Sequence, residues 1–283
     1  MAKAKESETK NGGRKKTTSA RRSHRKNKKD AMRWKYVIIS ICVSFTIFSA
    51  SYFTVFRPYF YRFTPCRNNE YYNICMPKGH SVYGIDVSRH QGTIDWEKLK
   101  NEHNPDAPIT FVYIKASEGS DFKDTKFKEN FSNARKYGFT RGAYHYFTTT
   151  SSGASQANLF ISMVKLSPGD LPPVLDIEEK PKNKKKYIEE AKIWLKKIEE
   201  HYGVKPIIYA SSKYKKKYLD EEFFKEYPSW VAHYYIPRLT EGEEWLMWQC
   251  SDIGVLPGIN EKVDINIFNG SEKQFKALLI DKK

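Results

Sequence analysis

Cysteine is scarce in this chain, with four in 283 residues, too few for a disulfide scaffold. Cys42 lies in an apolar run and Cys250 in a strand-like segment, where each reads as a small buried hydrophobe. Cys66 and Cys75 bracket the short polar stretch RNNEYYNI and are free to pair in an oxidising compartment. There is no G-x-G-x-x-G or Walker-type loop to support a nucleotide site. Nor is there a His-Glu-x-x-His helix or a Cys/His pair at ligand spacing, so neither a metal nor another cofactor is expected. No internal repeat is present.

Charge is absent from Tyr36 to Phe56, and the run YVIISICVSFTIFSASYFTVF is long enough to cross a bilayer as one helix. Its Ser and Thr hydroxyls can bond back to helix carbonyls, so they do not exclude insertion. Trp34 and Lys35 open the span, and Arg57 and Tyr59 close it. The formal charge of +16 is concentrated before Tyr36, in Arg14-Lys15-Lys16, Arg21-Arg22 and Lys28-Lys29. That polar stretch lacks aromatics until Trp34 and is expected to be disordered. Basic residues before a span stay cytoplasmic, which sends the rest of the chain outward. Such clusters also occur in nucleic-acid-binding tails, but the adjoining span accounts for them as topology determinants, and no nucleic-acid partner is expected. A cleaved signal peptide, with Ser49-Ala50-Ser51 as its small residues, is the competing reading.

The expected organisation is a basic tail over residues 1–35, a membrane helix over 36–56, an extracytoplasmic linker over 57–80 and one folded domain over 81–283. Within that domain short apolar runs alternate with amphipathic stretches, as strands alternate with helices. Strands are expected at Val82–Val87, Thr110–Ala116, Gly142–Phe147, Pro173–Glu178, Pro206–Ala210, Trp230–His233, Leu246–Ser251 and Val263–Phe268. Helices are expected at Asp124–Tyr137, Ser155–Lys165 and Tyr187–His201. Helical patterns thin out after the fifth strand, so an α/β barrel, irregular in its final third, fits better than an open sheet.

The segment Leu171-Pro-Pro-Val-Leu-Asp-Ile-Glu-Glu179 carries the most chemistry. Period two puts Asp176 and Glu178 on one strand face, about 7 Å apart along the backbone, with Leu175 and Ile177 on the other. Two acids crowded at a low-dielectric cavity cannot both ionise freely, so a protonated acid stands beside a carboxylate. Glycoside cleavage needs that division: an acid for the leaving oxygen and a negative group for the oxocarbenium-like centre. The plainer alternative is that these acids merely begin a helix. Asp86 and Asp264 also lie within or at the end of apolar strands, where an unpaired carboxylate is costly unless it faces a working site. Aromatics at strand ends, among them Tyr113, Tyr144, Tyr146, Tyr209, Trp230, Tyr234 and Trp248, suit sugar faces or a plain core.

Seven blocks in order, GIDVSRHQG, FVYIKASEG, GAYHYF, PVLDIE, IIYAS, WQCS and VDINIF, resemble those of glycoside hydrolase family 25, the Chalaropsis-type lysozymes, over about Val82 to Asn269. The resemblance implies an irregular (β/α)5β3 barrel, TIM-like in plan, that hydrolyses the β-1,4 bond between N-acetylmuramic acid and N-acetylglucosamine in peptidoglycan. It makes Glu178 the general acid. Asp176 becomes the partner that assists the anomeric centre, directly or by orienting the substrate's acetamido group. Asp86 and Asp264 complete the acidic cluster, Tyr144 and Tyr209 match sugar-site aromatics, and Glu118, Trp248 and Gln249 fall in matching blocks as substrate-binding candidates. The chain departs from the common pattern at Cys250, where a bulkier residue is usual, and at Lys115, where Arg is frequent. The apolar helix is expected to anchor the enzyme to the cell membrane in place of cell-wall-binding repeats. A chitinase-like hydrolase is disfavoured, because Leu171 and Val174 occupy the earlier acidic places of D-x-x-D-x-D-x-E. A non-catalytic glycan-binding wall protein is the remaining alternative.

Overall fold

The computed structural model describes residues 16–56, 72, 74, 76–77, 79–102, 104–236, 238–239 and 244–281, with the backbone alone for 16–28 and 31. The expected pairing of Cys66 with Cys75, and most of the 57–80 linker, lie outside the described residues. The chain falls into two compact units, residues 1–60 and 61–283.

In the first unit a helix runs Lys16–Ser51 and continues as a π-turn over Tyr52–Phe56. It starts twenty residues before the apolar run and so takes in part of the basic stretch. The segment lacks Gly and Pro, and its Lys, Arg and Ala residues are good helix formers. Met32–Phe56 is long and apolar enough to cross a membrane and is not buried within the protein; a signal sequence meets the same criteria. The hydroxyls behave as anticipated, with Thr46 Oγ1 donating to Cys42 O at 2.6 Å and Thr54 Oγ1 to Ala50 O at 2.8 Å.

The second unit is a mixed α/β domain around a closed eight-stranded barrel. Its strands are β1 Tyr83–Val87, β2 Ile109–Glu118, β4 Thr140–Tyr146, β5 Val174–Asp176, β6 Ile207–Ser211, β7 Ser229–Ala232, β8 Met247–Gly254 and β9 Val263–Phe268. The two-residue β3, Phe122–Lys123, hairpins onto β2. Parallel pairing of β1 with β2 closes the ring, and β9 alone runs antiparallel to both its neighbours. All eight expected strands are present. Helices follow β1, the β2–β3 hairpin, β4, β5 and β6; among the described residues none joins β7 to β8 or β8 to β9. The expected helices appear as Phe127–Lys136, Gly153–Met163 and Lys184–Tyr202. Trp96–Asn101 and Ser212–Tyr218 escaped the periodicity. The first has only six residues, started by Asp95 accepting from Lys98 N, and the second, SKYKKKY, is largely lysine.

Period two sorts the core into two layers. Val112, Ile114, Leu175, Ile177, Ile208, Val231 and Ile265 point outward and meet Phe131, Phe160, Ile188, Trp194 and Leu195 of the helices. Phe111, Tyr113, Val174, Ile207, Trp230, Met247 and Phe268 point inward. Glycine at positions 84 and 142 makes room there, since a β-carbon would strike the rings of Phe111 and Tyr113 respectively. Phe275, on the final helix Glu272–Leu278, packs 5.4 Å from Phe111 and 5.2 Å from Phe268 between ring centroids, and plugs the end where the parallel strands begin. The opposite end, where those strands finish, is left for a site.

Candidate active site

At the open end a cavity of about 440 Å³ is bounded by Asp86, Lys115, Tyr144, Tyr146, Asp176, Glu178, Tyr209, Trp230, Tyr234, Gln249 and Asp264, with Ser88, His90, Gln91, Asp252 and Lys262 toward its rim. β5 stops at Asp176, two residues earlier than expected, yet the chain stays laddered on both sides. Phe147 N donates to Asp176 O at 2.8 Å and Ile177 N to Tyr209 O at 3.0 Å. The alternation therefore runs past the strand: Ile177 is buried in the outer layer, while Asp176 and Glu178 both open into the cavity.

Asp86 and Asp264 face each other across the antiparallel β1–β9 register. Asp86 Oδ2 accepts from Asn266 Nδ2 at 2.7 Å and Gln249 Nε2 at 2.8 Å. Asn266 Oδ1 in turn accepts from Trp230 Nε1 at 3.1 Å, and Gln249 Oε1 accepts from the hydroxyls of Tyr209 at 2.7 Å and Tyr234 at 2.6 Å. Each amide thus has its oxygen satisfied by an aromatic donor and aims its nitrogen at Asp86, which fixes the orientation of both. Burial raises Asp86 to about 6, with the two amide bonds holding it down. Burial, then the charge of Asp86, raises Asp264 to about 9. The pair therefore retains a proton above the ordinary carboxylate range.

Asp176 is deep, with its carboxyl pushed well above the carboxylate range by burial and then by Glu178; Lys115 opposes the rise. Its Oδ1 is enclosed and accepts no hydrogen bond from the described residues. Glu178 stands more exposed at the mouth, raised by burial of its carboxyl and again restrained by Lys115. The rise belongs to the pair, which retains a proton above the ordinary range for either acid. An enclosed carboxyl oxygen with no donor among the described residues, beside a second acid open to solvent and sharing a proton with it, suits a reaction needing one proton donor and one negative group.

Of the residues singled out from the sequence, Asp86, Asp176, Glu178, Asp264, Tyr144, Tyr209 and Gln249 converge on this cavity. Glu118 does not line it; its Oε2 lies 2.7 Å from Lys115 Nζ, which does. Trp248 also departs from expectation. Period two turns it to the outer layer, 1% exposed, where its Nε1 donates to His233 O at 2.8 Å. Trp230 is the indole that reaches the cavity. Tyr146 and Tyr234 join it too, and Tyr146 was readable as the next inward position after Tyr144. Asp252 comes from the end of β8, where the register with β9 shifts, and Lys262 from the β8–β9 connection, so simple alternation guides neither assignment. Among the described residues no three His, Cys, Asp or Glu side chains are grouped so as to hold a metal ion.

Residues 85–259 match the model for glycosyl hydrolases family 25. The chain is 40% identical over 223 residues to protein YegX of Escherichia coli strain K12, covering 78% of this chain and 80% of that one. It is 35% identical over 213 residues to lysozyme M1 of Streptomyces globisporus, covering 70% and 71% respectively. The solved structure of a family 25 glycosyl hydrolase from Bacillus anthracis superposes with a TM-score of 0.66 at 31% identity, covering 75% of this chain and 100% of that one. Asp86, Asp176 and Glu178 of the cavity lie within the matched residues, and the chain belongs to glycosyl hydrolase family 25 and is a glycoside hydrolase.

Proposed function

We propose that this enzyme is a membrane-anchored muramidase that hydrolyses the β-1,4 bond between N-acetylmuramic acid and N-acetylglucosamine in peptidoglycan. The observation that carries the reading is the pair Asp176 and Glu178, opening on one face beyond β5 into an acid-lined cavity in a chain of this family. Similarity to lysozyme M1 supports peptidoglycan as the substrate.

Glu178, nearer solvent, donates its proton to the departing glycosidic oxygen and later recovers one from water. Asp176, whose enclosed Oδ1 accepts from none of the described residues, serves the anomeric side and steadies the developing positive charge, either directly or by orienting the acetamido group of the sugar. Asp86 and Asp264 shape the floor, and Tyr144, Tyr209 and Tyr234 offer rings and hydroxyls to the sugar. The element order, five strands each followed by helix and then three strands, supports reading the domain as a (β/α)5β3 barrel. The helix Met32–Phe56 anchors the chain, its basic flank retained in the cytoplasm and residues 81–283 outside.

The test is to incubate the full chain separately with purified peptidoglycan and chitin, reduce the products and identify the new reducing ends. Muramic acid ends from peptidoglycan are expected, and release from chitin alone would overturn the substrate. Carbonate-washed membranes of the producing cell should retain the protein, whereas its full recovery in the soluble fraction would remove the anchor.

A further inference from the structure

Lys115 and Glu118 are three residues apart on β2, and on a regular strand such residues face opposite sides. Here the β2–β4 ladder slips. Lys115 pairs with Tyr144, but Ser117 pairs with His145 and Glu118 with Tyr146, so Ala116 is an extra residue. This β-bulge turns Ser117 outward and swings Glu118 back to the side of Lys115, where Nζ and Oε2 lie 2.7 Å apart.

The outer half of the bulge is held by buried contacts. Ser117 Oγ lies 2.8 Å from His145 Nδ1, and His145 Nε2 lies 3.1 Å from Gln156 Oε1. Gln156 Nε2 donates to Thr148 O at 3.0 Å and Ser151 O at 3.1 Å. Burial lowers His145 to about 3, so the ring is neutral and can donate from Nε2 while accepting from Ser117. On the inner side Lys115 is 12% exposed, borders the cavity with Asp176 and Glu178, and sets its ammonium 4.8 Å from the Tyr146 ring centroid.

We propose that the bulge-built Lys115–Glu118 pair is a positioning device for the catalytic proton. Lys115 keeps Asp176 and Glu178 from both remaining protonated, and Glu118 limits how strongly it does so. The inference rests on Asp176 and Glu178 being the catalytic acids. The groups facing one or both of them are Asp86 from β1, Lys115 and Glu118 from β2, Tyr144 and Tyr146 from β4, Tyr209 from β6 and Asp264 from β9, with Tyr187 and Tyr214 from the helices Lys184–Tyr202 and Ser212–Tyr218. Lys115 is the cation that opposes the rise at both acids, while Glu118 adds to the rise at Asp176. Without Lys115, burial and mutual repulsion act unopposed, and the carboxylate partner is lost at the pH where the acid works.

The test is the pH profile of kcat/KM on peptidoglycan for the full chain and for Lys115→Met, Lys115→Arg and Glu118→Gln. Lys115→Met should move the acidic limb upward by about one pH unit, Lys115→Arg should restore it, and Glu118→Gln should move it downward by less. Limbs that stay in place while kcat/KM falls uniformly, or both charge-removing variants moving the same way, would overturn the proposal. Should Lys115→Met fail to fold, the Glu118→Gln limb decides by itself: a downward move supports the device and a fixed limb refutes it. Glu178→Gln in the same series separates the two levels, since full activity there defeats the catalytic reading, whereas an inactive Glu178→Gln with unmoved limbs elsewhere defeats only this one.

Discussion

The two ends of the barrel are made from the same strands by opposite means. At the closed end the charges are partnered: Asp170, 1% exposed, meets Arg141 Nε at 2.9 Å and Arg135 at 2.8 Å, and also accepts from Ser167 N. Phe111, Phe268 and Phe275 fill the space inside. At the open end Asp86, Asp176, Glu178 and Asp264 crowd one cavity, with Lys115 and Lys262 the basic lysines on its lining. Carboxylates of one sign gathered in a buried place raise the free energy of the folded state, so the closed end stabilises what the open end strains.

The largest separation between the ends should appear on neutralising one acid from each. Glu178→Gln is expected to lower kcat by at least about 100-fold, the lower bound for a lost general acid, while its melting temperature holds or rises and glycan binding persists. Retained hydrolysis would refute the role of Glu178. Asp170→Asn should do the reverse. It leaves the guanidinium of Arg141 buried without its counter-charge, at a cost of about 3–5 kcal/mol in chemical denaturation, while kcat of the folded fraction stays near that of the parent. Equal stability in that variant would mean the closed end does not carry the load assigned to it.

The same contrast explains what was legible in the sequence. Strands were readable because apolar side chains repeat with period two on both faces: Val112 and Ile114 outward, Phe111 and Tyr113 inward. The acids were readable because Asp86, Asp176 and Asp264 interrupt such runs. Glu178 was readable only through alternation, which holds although β5 ends before it. Trp248 was misplaced because an indole near a strand end suits a sugar or a core equally well, and deciding between them needs the register that sends Gln249 inward. The Lys115–Glu118 contact was invisible, because a bulge changes facing without leaving a mark in hydrophobic pattern.

A smaller effect is expected from pH. Asp86 and Asp264 have folded values of about 6 and about 9, above the ordinary carboxylate range. A group raised on folding binds its proton more tightly in the native state, so the unfolded chain holds fewer protons between the two values and stability falls as pH rises. The contribution is complete below the unfolded carboxylate value and lost as pH climbs through 6 and then 9. Denaturation at pH values spanning this window should show that decline in the parent. Asp264→Asn should flatten its upper part, because asparagine keeps a donor toward Asp86 without ever ionising. A parallel decline in both proteins would remove Asp264 as its source.

The smallest effect distinguishes two indoles. Trp230 Nε1 donates to Asn266, which orients Asp86 from within the barrel; Trp248 Nε1 donates to a backbone carbonyl in the outer layer. Trp248→Phe should cost about 1 kcal/mol of stability, the net value of one hydrogen bond, with KM and the pH profile unchanged. Trp230→Phe should cost a similar amount but also free Asn266 to turn, loosening its hold on Asp86 and raising the pH at which Asp86 ionises. The profile rather than the melting temperature therefore separates them. An increased KM for Trp248→Phe at undiminished stability would return that residue to the sugar site and undo its assignment to the outer layer.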